Sequence, residues 1–155
     1  MAEVKEGAGI VDQALLLNPN LARSWNLSGW VRLFLGQPEV AIEHLQRAMR
    51  LSPLDFAFHA MEAATAHAHL AAGRYEAAIE WAERSLRDQP NQGEALAALS
   101  IASARAGDFH RAQATMARLL ELRPHRRISN YFLPHMPPEA RKRTTDILRK
   151  LGMPE

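Results

Sequence analysis

The chain has 155 residues, 47% of them hydrophobic and 23% charged, with no cysteine; disulfides and thiolate metal sites are excluded, and no apolar run approaches the roughly eighteen residues that cross a bilayer. The length suits one domain with its own core. A net charge of +2 conceals an asymmetry, because residues 1–117 carry 10 basic and 13 acidic side chains while residues 118–155 carry 9 and 4. Lacking a charged-then-apolar leader, the sequence reads as that of a cytoplasmic protein.

Punctuation organises the chain. Gly36, Gly73 and Gly107 each end an apolar helical stretch and precede another, at spacings of 37 and 34. Pro19, Pro53, Pro90 and Pro124 follow at intervals of 34, 37 and 34. A proline lacks an N–H and disfavours helix in the residue before it, so each one closes a second helix. Units of this period, with two helices apiece, are the signature of a tetratricopeptide-type all-α solenoid.

In chain order, residues 1–20 hold Ala14, Leu15 and Leu17 in the register that Ala48, Met49 and Leu51 occupy one unit later. Residues 7–18 are therefore expected to be the second helix of a truncated repeat, cut from something longer. Three full units follow, 21–54, 55–91 and 92–125. Two helices that pack closely need small residues where their backbones meet. Seven residues before each turn glycine stand Gly29, Ala66 and Ser100; five after stand Ala41, Ala78 and Ala112; twelve after stand Ala48, Ser85 and Leu119. Leu119 breaks the small-residue pattern, which suggests a slight splay in the third unit. The large partners expected in the core are Trp25, Leu27, Leu45 and Leu51, then Tyr75, Ile79 and Leu86, then Leu96, Leu99, Phe109, Met116 and Leu122. The three extra residues of the second unit predict a longer first helix, starting near Asp55 as its N-cap.

Residues 126–155 form a connecting loop, with Ile128, Tyr131, Phe132 and Leu133, and a capping helix that begins at Pro137-Pro138-Glu139. Ala140, Thr144, Ile147, Leu148 and Leu151 make the stripe that docks on the third unit, and Gly152 stops the helix. Arg141, Lys142, Arg143, Arg149 and Lys150 take the outer face.

Three stretches carry a narrower resemblance: SGWVRLFLGQPEVAIEHLQRAMRLSPLD, AGRYEAAIEWAERSLRDQP and RRISNYFLPHMPPEARKRTTDILRKLGMPE. They resemble the carboxyl-terminal tetratricopeptide region of proteobacterial class III adenylate/guanylate cyclase-type proteins and of winged-helix regulators that share this tail. Ser28-Gly29-Trp30 and Ile128-Ser129-Asn130 carry most of it. The resemblance implies a regulatory, protein-binding segment of a larger signalling protein and brings over no catalytic residue.

In such solenoids the first helix of each unit lines a concave groove. Helical periodicity puts Arg23, Asn26, Trp30 and Leu33 on that face, with Phe34 beside them. In the second unit it puts Ala60, Ala63, His67 and Leu70 there, and in the third Glu94, Ala97, Ile101 and Ala104, with Arg105 adjacent. This mainly apolar set suits an amphipathic helix or an extended apolar peptide, with Trp30 and Phe34 as anchors. Their alternative role is packing against an upstream helix or domain. Arg23 and Asn26 supply only part of a carboxylate clamp, since Ala60 and Ala63 stand at the equivalent offsets.

No catalytic constellation stands out: there is no GxSxG, Walker loop or GxGxxG, and the acids are scattered along helix faces. His59, His67 and His69 lack metal-ligand spacing, because His67 and His69, two apart, point to different faces. Neither cofactor nor metal is expected. Ile10, Val11, Ala14 and Leu17 would leave an apolar edge on the first helix, which predicts self-association through residues 7–18. The rival to protein binding is nucleic-acid binding, with Arg123, His125, Arg126, Arg127 and Arg141–Arg143 on phosphates and Tyr131 and Phe132 stacked on bases. A solvated cap with the aromatics turned inward is the preferred reading of that segment.

Overall fold

The structure, a computed structural model, describes residues 2–131 and 136–155. Among the described residues eight α-helices and one short 3-10 turn succeed one another: α1 (Ala2–Leu17), α2 (Ala22–Phe34), α3 (Pro38–Leu51), α4 (Phe58–Ala71), α5 (Tyr75–Asp88), α6 (Gly93–Arg105), α7 (Phe109–Leu122), the 3-10 turn Ile128–Asn130, and α8 (Pro138–Lys150). The all-α expectation holds, and α2–α3, α4–α5 and α6–α7 are the tightest pairs.

All three turn glycines take the left-handed conformation, with φ of 73°, 76° and 93°, and Gly152 closes α8 in the same way at 87°. Each makes the same two backbone bonds. Gly36 N–H donates to Leu33 O and Gln37 N–H to Arg32 O; the bonds recur from Gly73 and Arg74, from Gly107 and Asp108, and from Gly152 and Met153. Two of the orphan carbonyls at each helix end are thereby satisfied, and the chain is set to reverse. The next helix then starts cleanly. Pro38 sits in the first turn of α3, and the Asp108 carboxylate accepts from Arg111 N–H at the start of α7.

The expected small residues lie at the crossings. Gly29 faces Leu45 so closely that an added β-carbon would stand 2.5 Å from Leu45 Cγ. Ala41, Ala48, Ala66, Ala78 and Ala112 are fully buried. Two serines at such sites turn their hydroxyls to backbone: Ser85 donates to His59 O at 2.7 Å and Ser100 to Ala112 O at 2.8 Å. Leu119, which departs from the small-residue pattern, is fully buried across the pair from Gly93 of α6.

Several core expectations need correction. Leu27 and Phe109 are 54% and 46% exposed, because each lies on the outward side of its helix. The extra residues of the second unit mostly lengthen the connection: α4 starts at Phe58, and Asp55 accepts from Ala57 N–H within the preceding turn. On α1, Val11 is buried with Ala8 and Leu15 against α2, while Ile10 and Leu17 are 62% and 88% exposed. Arg32 Nη2 donates to both carboxylate oxygens of Asp12, at 2.5 and 2.6 Å, and fastens α1 to α2. Ion pairs also join successive units, Arg74 with Glu39 and Arg111 with Glu83.

α8 docks through Ile147, Leu148 and Leu151 in one cluster with Leu96, Ala97 and Ile101 of α6. The residue leading into α8 lies toward the first unit. Pro137 lies beside the α2–α3 turn, its Cγ 3.2 Å from where a β-carbon on Gly36 would be.

The close crossing gives a direct test. Gly29→Ala is expected to destabilise the fold by about 1–3 kcal/mol through overpacking, read by urea or thermal unfolding. Leu45→Ala alone should cost about 2–5 kcal/mol. The double variant should cost clearly less than the sum, because the second change removes the clash; strict additivity would show that the crossing does not constrain the pair.

Candidate functional site

The concave side holds a cleft of about 650 Å³. One wall is Trp30, Leu33 and Phe34 of α2, His67 and Leu70 of α4, and Ile101 and Arg105 of α6. The other is the chain's own C-terminal segment, including Tyr131, Met136, Pro137, Ala140, Arg143 and Thr144.

Seven residues expected on the groove face therefore line the cleft. Arg23, Asn26, Ala63 and Glu94 are not among its lining. Arg23 is exposed near the start of α2, Ala63 is wholly buried between helices, and Asn26 is half-buried. Ala97 and Ala104, also expected to face the groove, are buried in the cluster that contains α8. The groove is thus narrower than the repeat pattern alone suggests, because the C-terminal segment covers its third-unit end.

A polar network ties that segment down. Glu94, at the start of α6, pairs with Arg126 in the loop before the 3-10 turn, and its carboxylate lies 3.8 Å from His67 Nε2. His67 Nε2 lies 3.0 Å from the Glu94 carbonyl oxygen; with that oxygen as acceptor, the neutral ring carries its proton on Nε2. The Arg126 guanidinium stands 5.6 Å from the Tyr131 ring centroid, and His67 stands 5.7 Å from Trp30. Tyr131 is buried, and burial drives its hydroxyl far above the ordinary phenol range. It is turned inward, as the cap reading expected, and is not available to stack on bases. Phe132 and Leu133 lie outside the described residues.

His67 is 5% exposed, and burial holds its pKa below the ordinary imidazole value against the opposing pull of Glu94. His44, bonded to Ser28 at 2.8 Å, and His69, beside Arg74, are lowered for the same reason. His67 and His69 face different partners.

The sequence did not assign Tyr75, Pro137, Arg143 or Thr144 to the cleft, although all four line it. The available signal was the cluster of Ile128, Tyr131, Phe132 and Leu133, too apolar for a solvated loop. Among the described residues no helix is long and apolar enough to cross a membrane.

Antiparallel helix pairs closed by left-handed glycines and stacked through small residues define a helical-repeat solenoid. Two tetratricopeptide repeat models match, over residues 22–53 and 69–130, and the chain belongs to the tetratricopeptide repeat family. Solved structures of similar fold include a crystal structure of MamA, with TM-score 0.67 and 17% identity over 97% of this chain and 87% of that one. In a second MamA structure, with TM-score 0.64 and 18% identity, 78% of this chain is covered and it spans 64% of the other. The APC/C hetero-tetramer Cut9–Hcn1 matches with TM-score 0.70 and 18% identity over 92% of this chain and 25% of the matched one. At these identities the likeness is one of fold. No curated protein sequence matches.

Because the folded pKa of His67 lies below the unfolded value of about 6.5, the unfolded chain binds more protons in the window just under that value. Stability is complete above it and falls as the pH falls through it. Chemical denaturation between pH 7.5 and 5.5 should show this loss, and His67→Gln should make the slope shallower; an unchanged slope would mean that His67 does not titrate on unfolding.

Proposed function

We propose that the chain is a non-catalytic protein-interaction module that holds a partner's apolar segment in the concave cleft. It would serve as the regulatory C-terminal tetratricopeptide region of a larger cytoplasmic bacterial signalling protein, such as a nucleotide cyclase. The observation that carries the binding role is the cleft itself. An apolar wall from all three units faces open space of about 650 Å³, in the size range of sites that hold compact ligands. Because the C-terminal segment forms the second wall, the site suits a short segment better than a long helix. Trp30 and Phe34 stand 5.9 Å apart, centroid to centroid, and supply the aromatic anchors that dominate interface energetics. The placement in a larger signalling protein rests on the resemblance of Ser28-Gly29-Trp30 and Ile128-Ser129-Asn130 to cyclase-type tails.

Selection of a displayed random-peptide library on the immobilised chain tests the binding role. Apolar peptides should be recovered, and Trp30→Ala with Phe34→Ala should weaken them about tenfold or more while leaving a cooperative melt. Failure to recover any peptide, or recovery of peptides indifferent to both substitutions, would remove the cleft as the partner site.

Self-association is a second proposal, favoured by the exposure of Ile10 and Leu17 on α1. Sedimentation should show concentration-dependent dimers that Ile10→Gln with Leu17→Gln abolishes, and a strictly monomeric wild type would refute it.

A further inference from the structure

The charges at the cleft go beyond the general role. Arg105 lies half-buried in the last turn of α6, and Arg143 lies exposed on α8; both line the cleft. Among the described residues neither makes an ion pair, although most other arginines bond to a carboxylate or a backbone carbonyl. Arg105 sits where a cation also offsets the helix dipole, and that role does not use up its five donors. Among the described residues Glu139, one turn before Arg143, is the one carboxylate lining the cleft, and no ion pair joins the two. Glu94 is engaged by Arg126 and does not line it. An apolar wall with two guanidiniums and one carboxylate at its edge is complementary to an apolar group with an adjoining anion.

We propose that the cleft takes a short apolar segment of a partner protein that carries an acidic side chain, with the apolar residues against Trp30 and Leu70 and the carboxylate on Arg105 and Arg143. This rests on the reading of the cleft as the partner site. The acidic requirement is what it adds: the tail is a working wall of the site, contributing one of the two cations.

Two fluorescent probes of the same aromatic frame test it on the intact chain: anilinonaphthalene sulfonate, which carries an anion, and neutral phenylnaphthylamine. The sulfonate should bind more tightly, and Arg105→Gln with Arg143→Gln should weaken it about tenfold without changing the neutral probe or the melting temperature. An acetylated, amidated leucine- and alanine-rich peptide with one glutamate should displace the sulfonate better than its glutamine twin. Binding of neither probe would defeat the cleft reading as a whole. Equal binding of both, unaffected by the arginine substitutions, would overturn the acidic preference and leave the apolar site standing. An arginine-dependent sulfonate with no advantage for the glutamate peptide would overturn the peptide assignment in favour of a free anionic amphiphile.

Discussion

The separation of the two helices in each unit governs everything built on them. Across the first pair the approach is so close that position 29 has no room for a β-carbon. The equivalent sites in the other units hold alanine and serine, both fully buried. A crossing this tight buries apolar surface at the backbone itself, which is how the many alanines of α4 and α6 contribute to stability beside a few large side chains. It also requires that each helix reverse at a fixed place. The left-handed glycine supplies that reversal, with the same pair of backbone bonds at every turn.

On this frame the C-terminal segment has a double role. Its apolar stripe seals α6, as a cap should, and Pro137, just before α8, lies beside the α2–α3 turn. The Glu94–Arg126 pair and the buried Tyr131 anchor the part of the segment before α8. A groove open along three units is thereby reduced to a bounded cleft with aromatic residues on one side and a basic helix on the other. The basic surplus of the tail is accordingly divided. Arg126 is engaged in holding the fold, Arg149 bonds to Glu155, and Arg143 borders the cleft.

Shape and charge at the cleft therefore have different origins. The apolar wall belongs to the repeats and follows from their periodicity. The boundary and half of the positive charge belong to a segment outside the repeats, so a related solenoid with another tail would present the same wall to a different class of ligand.

The sequence alone determined the helix pairs, their glycine turns, the small residues at the crossings and the Ile147, Leu148 and Leu151 part of the docking stripe, whose Ala140 and Thr144 line the cleft instead. All of these are local or periodic: a left-handed turn requires glycine nearby in the chain, and a helix shows its buried face every three or four residues. Seven groove residues were legible for the same reason. The path of the tail was decided only in the tertiary structure, and with it the exclusion of Glu94 and the inclusion of Tyr75, Pro137 and Arg143. Contacts such as Pro137 with Gly36 join residues about a hundred positions apart, where no period connects them. The outward turn of Leu27 and Phe109 and the burial of Val11 were settled likewise, by which neighbouring helix lay across each face.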